Sequence, residues 1–332
     1  MMRYWKLIAL VAAACAGLLL TACGGTVEAQ QQDEKPLTIG VNAWPGYGVV
    51  EIASKMGFFE QAGAPVTVKF FDSVNETNRS FAEKRLDAAT MVLTDTISQS
   101  AAGVPLDVIW TTDISAGADV LVASPSITKP EDLRGKRIGV SYGSFGHVFL
   151  SRLLSNLNMS LDDVTVVNVA PEEIPAALSN NIIDAGHTFP PFSDSALQNG
   201  AKVLLTSADA PSAIIDVLAF QDAIVENRPN DVQAVVKALD LASAWWAANQ
   251  TEGNAIVAEF LSVAPDTMPD VMSGLQVYSL ADNKLIANIQ SDQSIYRNAQ
   301  YGIDLFKSLS LFKEAPDLQH IINPSFVENA GQ

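Results

Sequence analysis

Cysteine is nearly absent from this chain: of 332 residues only two, Cys15 and Cys23, carry a thiol, and both lie near the start. Past Cys23 the chain has no means of forming a disulfide, a cysteine nucleophile or a cysteine-based metal site. Histidine is scarce too. His147, His187 and His320 are too widely spaced for a close metal-ligand motif, and no HExxH, GxSxG or P-loop pattern occurs. No metal, cofactor or catalytic group is therefore expected, and the chain is not read as an enzyme. Basic residues are also few, with 20 Lys and Arg against 37 Asp and Glu for a net charge of −17. That balance excludes a nucleic-acid partner and makes anionic lipid surfaces repulsive. Low-complexity tracts are missing, and Gly and Pro are near ordinary usage, so disorder and collagen-like structure are excluded. Long apolar runs are limited to residues 7–20, too short to span a bilayer and suited to the core of a signal peptide.

That run follows a basic start, Arg3 and Lys6, and ends in Leu20-Thr21-Ala22-Cys23. The tetrapeptide resembles the lipobox of bacterial lipoproteins, which implies cleavage before Cys23 and acylation of its sulfur. Residues 1–22 are then a lipoprotein signal peptide, and the mature chain keeps Cys23 as its sole cysteine. Each buried acyl CH₂ contributes about 0.8 kcal/mol of membrane affinity, so several chains hold a protein at a membrane. Residues 23–36 are polar and aperiodic, a flexible tether with a reach on the order of 20 Å. The expected location is the bacterial cell envelope, facing the periplasm or the exterior, with a monomeric body.

From Leu37 onward strand-like and helix-like segments alternate, the mark of an α/β fold with a largely parallel sheet. The pattern also repeats. Arg137-Ile138-Gly139-Val140 matches Thr38-Ile39-Gly40-Val41, and Ile183-Asp184-Ala185-Gly186 matches Leu86-Asp87-Ala88-Ala89. The two matches have the same offset to within two residues, which implies two lobes of similar βαβ construction. Residues 37–117 with 218–332 form the expected first lobe and residues 118–217 the second. The apolar extended runs 108–123 and 214–220 cross between them, making a hinge and a ligand cleft. A helix is expected at 49–59. A second follows Asn230, which with Gln233 makes a capping box, and it buries Val232, Val235, Val236, Leu239, Ala242 and Trp246.

Ligands of open α/β sheets bind beyond the carboxyl ends of the strands. The loops after the repeated strands thus nominate Asn42, Trp44, Gly46 and Tyr47 in one lobe and Ser144, Phe145 and Gly146 in the other. Trp44, beside Pro45 and Gly46 in an irregular loop, suits an apolar wall. The loop at 141–147 runs into a helix, whose backbone N–H groups and dipole can hold an anionic group. The next strand ends add Thr94, Asp95 and Thr96, and His187 and Phe189. The crossings add Asp113, Ser115, Gly117, Asp119 and Asp216. Four carboxylates near one cleft suit a ligand with an amine or several donors, although acids in such positions also cap helices.

With these residues in place, the chain resembles the solute-binding proteins of ABC importers, most nearly the taurine, aliphatic sulfonate and nitrate group. The resemblance rests on residues 39–47 (IGVNAWPGY), 113–119 (DISAGAD), 127–140 (ITKPEDLRGKRIGV) and 323–326 (NPSF). It implies a type 2 periplasmic-binding-protein fold and capture of a small solute, delivered to a permease and its ATPase. A sensor subunit that presents its solute to a membrane signalling protein is the alternative. Many relatives carry Trp-Glu-Pro or Trp-Asp-Pro after the second-lobe strand, whereas this chain has Thr188-Phe189-Pro190-Pro191. An amine held by that acid elsewhere needs another partner here, such as Asp95 or Asp216.

Overall fold

The computed structural model describes residues 35–291, 294–312 and 314–330. The signal segment, Cys23 and all but the last two tether residues lie outside the described residues. Among the described residues eleven strands are formed: β1 (Leu37–Asn42), β2 (Val66–Phe71), β3 (Ala88–Val92), β4 (Leu106–Ser115), β5 (Val120–Ala123), β6 (Arg137–Val140), β7 (Thr165–Asn168), β8 (Ala185–Thr188), β9 (Lys202–Thr206), β10 (Ile215–Gln221) and β11 (Leu275–Val277). They make a six-stranded sheet ordered β11-β4-β10-β3-β1-β2 and a five-stranded sheet ordered β7-β6-β8-β5-β9.

The sequence repeat has a physical cause. Ile39 pairs in parallel with Ala88 in the first sheet, and Ile138 pairs in the same way with Ala185 in the second. In each sheet the aspartate before the second strand ties down the start of the first. Asp87 Oδ2 accepts from the Thr38 N–H at 2.7 Å, and Asp184 Oδ2 accepts from the Arg137 N–H at 2.9 Å. The aspartate N–H groups return the bond, to the carbonyls of Thr38 (3.0 Å) and Arg137 (2.8 Å). The glycines are needed for close approach. A Cβ on Gly40 would stand 2.4 Å from Leu86 Cδ1, and one on Gly139 would stand 2.7 Å from Ile183 Cδ1. The Ile-Gly-Val and Leu/Ile-Asp-Ala signatures are therefore two halves of one packing unit, used twice.

The first sheet is buried through its middle because helices cover both faces: every residue of β1, β3, β4 and β10 is buried. One face packs on Val49, Val50 and Ile52 and on Val232, Val235, Val236, Leu239 and Trp246 of the helix Pro229–Ala248. The other packs on Phe81, Ile97, Ala299 and Ile303. Trp246 gives its indole N–H to Asn254 Oδ1 at 3.0 Å, so this tryptophan belongs to the core.

Several local expectations change. The helix expected over 49–59 runs Gly48–Lys55 and stops, because Gly57 turns left-handed (φ 71°) before a short helix at Phe58–Ala62. The first crossing is not one extended run: β4 and β5 are separated at 116–119, where Gly117 has φ 141°. On the return path β10 already begins at Ile215, inserted antiparallel between β3 and β4, so residues 215–217 lie in the first sheet. The capping box at Asn230 and Gln233 does not form. Pro229 takes the first helical position, Arg228 pairs with Asp231, and Gln233 donates instead to the Phe326 carbonyl at 3.0 Å. Among the described residues no helix is long and apolar enough to cross a membrane.

Candidate functional site

Residues from both sheets meet around one small cavity. Asn42 ends β1, Trp44 and Tyr47 follow it, and Val74 and Val92 join them from the first-sheet side. Phe145 and Phe189 come from the loops after β6 and β8, while Asp119, Ile214 and Asp216 come from the crossings. Its volume is about 10 Å³, close to the space of a single water. The structure is thus closed on itself, and a larger solute enters only if the two halves stand further apart. A larger cavity of about 800 Å³ lies elsewhere, against the C-terminal half of the helix Pro229–Ala248, and no Asp, Glu, Lys or Arg lines it.

Trp44 spans the site. Its indole N–H donates to Asp113 Oδ1 at 3.0 Å, and its ring meets Phe189 edge-on, with centroids 5.5 Å apart. The other Asp113 oxygen accepts from the Thr112 hydroxyl at 2.9 Å. Gly46 lets the loop pass close to this carboxylate, since a Cβ there would fall 1.9 Å from Asp113 Oδ2. The Tyr47 hydroxyl donates to Asp216 Oδ1 at 2.6 Å, and His187 Nε2 lies 2.7 Å from Asp119 Oδ1. Gly146 packs flat against this imidazole, where a Cβ would be 2.7 Å from Nδ1.

The carboxylates are deeply buried. Asp113 and Asp119 are 0 % and 1 % exposed, and Asp216 and Asp95 are 2 % and 4 % exposed. Asp113 and Asp216 sit directly opposite each other on β4 and β10, an arrangement that is unfavourable for two like charges. Burial pushes Asp113 up to about 7, against the hydrogen bonds from Trp44 and Thr112 that favour its ionised form. Burial first, and then the Asp113 charge, hold Asp216 well above the usual carboxylate range. Burial raises Asp95 as well.

The anion-binding expectation at 141–147 is corrected by Asp95. This residue lies in the first turn of the helix Leu93–Ala101 and reaches across to the start of the helix Phe145–Asn156. There Asp95 Oδ1 accepts from the Ser144 hydroxyl at 2.7 Å and the Phe145 N–H at 3.3 Å, while Oδ2 accepts from Asn78 at 2.9 Å. The positive end of that helix already holds an acid of this chain.

Ten of the expected residues do not line the cavity: Gly46, Asp95, Asp113, Ser144, Gly146 and His187, whose contacts are given above, and Thr94, Thr96, Ser115 and Gly117. The Thr96 hydroxyl turns back to the Leu93 carbonyl at 2.7 Å. Thr94 is buried against the position of Gly302. Ser115 shares a hydrogen bond of 2.8 Å with Ser207 and accepts from the Asp119 N–H at 3.0 Å, and the Gly117 N–H donates to Ser207 at 2.6 Å. These two brace the crossing that positions Asp119. Val74, Val92 and Ile214 line the cavity although nothing in their chemistry singled them out.

The model of the NMT1-like family matches residues 30–262, well over half of the chain. The chain belongs to the NMT1-like family. It is 28% identical to the taurine-binding periplasmic protein of Escherichia coli (strain K12) over 228 residues, 65% of this chain and 70% of that protein. It is 23% identical to a putative aliphatic sulfonates-binding protein of Bacillus subtilis (strain 168) over 320 residues, 94% of this chain and 93% of that one. Among solved structures, the zinc-bound ligand-binding component of an ABC-type import system from Staphylococcus aureus superposes with a TM-score of 0.74 at 16% identity, covering 90% of this chain and 99% of that one. The NMT1-like chain therefore has the two-lobed α/β periplasmic-binding-protein fold that the sequence led one to expect.

Proposed function

We propose that this NMT1-like protein is the extracytoplasmic solute-binding component of an ABC importer. It closes on a small polar solute, for which the taurine, aliphatic sulfonates and nitrate named for its relatives are the first candidates, and delivers it to a permease and its ATPase. The observation that carries the reading is the cavity itself, walled by both sheets and closed by two contacts between them. One is the Trp44–Phe189 edge contact and the other is Asp95 on Ser144 and Phe145. Neither contact survives a wide separation of the halves, so a solute that binds better to one arrangement selects it. Residues 37–117 with 215–332 act as one lobe and 118–214 as the other, the boundary moved from 218 to 215 because residues 215–217 pair in the first sheet.

Thermal-shift screening of the mature protein against sulfonates, amino acids, amines, nitrate and pyrimidines tests this reading. A solute at 100 times its Kd is expected to stabilise the fold by about 2.7 kcal/mol and to raise ATP hydrolysis by the reconstituted permease and ATPase. Absence of any stimulated hydrolysis with a bound solute overturns the importer reading.

The protein is further proposed to be a monomer held at the cell envelope by acyl chains on Cys23, after loss of residues 1–22. Changing Cys23→Ser is expected to release the protein from membranes with its melting temperature unchanged, because the tether precedes β1. Intact mass of membrane-extracted wild type should show the acyl chains, and an unmodified soluble wild type removes the anchor.

A further inference from the structure

Resting on the solute-binding reading, the polar chemistry of the cavity narrows the solute. Its ten lining residues include two carboxylates, Asp119 and Asp216, and no Lys or Arg. Each carboxylate has one satisfied oxygen. The second oxygens, Asp119 Oδ2 and Asp216 Oδ2, are buried and have no hydrogen-bond partner. A buried acceptor left without a donor is costly, and an ionised one is more so. Asp113 and Asp95 add two buried carboxylates just behind the wall, bonded to Trp44 and to Ser144. Of the other eight lining residues four are aromatic, Trp44, Tyr47, Phe145 and Phe189, beside Asn42, Val74, Val92 and Ile214. Aromatic faces attract cations, and carboxylate oxygens accept from N–H donors.

We propose that this pole binds the protonated amine of a small organic cation. Asp119 Oδ2 and Asp216 Oδ2 accept its N–H donors, and Trp44, Tyr47, Phe145 and Phe189 cover the adjoining alkyl part. The closed volume of about 10 Å³ holds an ammonium head alone, which is close to a water in size, so the alkyl part is covered only with the two halves further apart than here. An anion is disfavoured by the unpaired carboxylate oxygens and, at the N-terminus of the helix Phe145–Asn156, by Asp95 already seated there. A metal cation fits less well than an organic one, because among the described residues no group of three His, Cys, Asp or Glu side chains is arranged to hold a metal. Without a cation Asp216 is raised by burial, as is Asp113 opposite it, so the empty closed site holds a proton that an ammonium replaces at Asp216.

Calorimetry on the mature protein with ethanolamine, 1,4-diaminobutane, benzylamine and taurine, set against nitrate, ethanesulfonate, tetramethylammonium and zinc, tests the assignment. At least one amine is expected to bind, and the anions and zinc are not. Asp119→Asn and Asp216→Asn are expected to weaken the binding amine about tenfold to a hundredfold each, the loss typical of a hydrogen bond to a charged group. Both variants keep an oxygen that can accept from His187 or Tyr47. The free variants should therefore melt no lower than wild type at pH 7, which separates lost recognition from lost folding. Binding of nitrate or ethanesulfonate with the amines silent overturns the cationic assignment and leaves the solute-binding reading intact. So does amine affinity that neither substitution changes. Tetramethylammonium binding as tightly as the amines overturns the role of the two oxygens as N–H acceptors.

Discussion

Changing Trp44→Ala is expected to lower folding stability by about 3–5 kcal/mol, the range for truncating a buried Trp, and solute affinity about thirtyfold. The indole is 4 % exposed and joins three parts of the molecule. It follows β1, it donates to Asp113 on β4, and it meets Phe189 from beyond β8. Truncation opens a void at the cavity wall and strips Asp113 of a donor in a site where its charge is already disfavoured. Trp44→Phe shifts the balance to the second effect, since it keeps a six-membered ring at the wall and loses the pyrrole ring with its N–H. That variant should lose about 1–3 kcal/mol of stability, with Asp113 still more readily protonated. Denaturant unfolding and calorimetry on both variants distinguish a cavity wall from a packing residue. Unchanged solute affinity in a destabilised Trp44→Ala protein would show that the indole only holds the loop in place.

What was legible in the sequence follows from which constraints are local. The paired signatures around Gly40 and Asp87, and around Gly139 and Asp184, were readable because each encodes one backbone contact with one allowed geometry. Strand ends pointed to Asn42, Trp44, Tyr47, Phe145 and Phe189 by the same logic, since the carboxyl edge of a parallel strand determines where its loop emerges. The failures come from facing and from distance. Thr96 was nominated with Asp95, yet one helical step turns its hydroxyl back to the Leu93 carbonyl. The acid on the 145–156 helix comes from Asp95, 50 residues earlier than Phe145, and only closure of the two halves brings it there. Val92 and Ile214 had a usable signal, as each lies within two residues of a nominated position. Val74 had none, because an apolar residue starting a helix looks the same whether it meets core or cavity.

The stability of the free protein and its affinity for an amine are expected to move in opposite directions with pH. An aspartate in the unfolded chain titrates near 3.9, roughly, while burial lifts Asp113 to about 7 and raises Asp216 in the same sense. Between those values the folded state holds protons that the unfolded state has released, so stability falls as pH rises from about 4 to about 7. The groups facing this pair are Tyr47, Asp95, Asp119 and Tyr278, with His187 behind Asp119. Burial raises Tyr47 well above its ordinary value and pushes Tyr278 up to about 12, so neither phenol titrates in this interval. Asp107, pushed up to about 6 by burial beside Asn323, contributes stability of the same sign from outside the cavity. The cavity's share is therefore read from Asp113→Asn and Asp216→Asn, each of which should flatten the slope of melting temperature against pH. An amine probe competes with a proton at Asp216, so its affinity should rise as pH rises while the free protein weakens. Calorimetry near pH 6 in two buffers of different ionisation enthalpy should show proton release on binding. Proton uptake, or amine affinity that falls as pH rises from 4 to 7, would mean that the buried acids stay protonated in the bound state and that the cation is held by the aromatic wall alone.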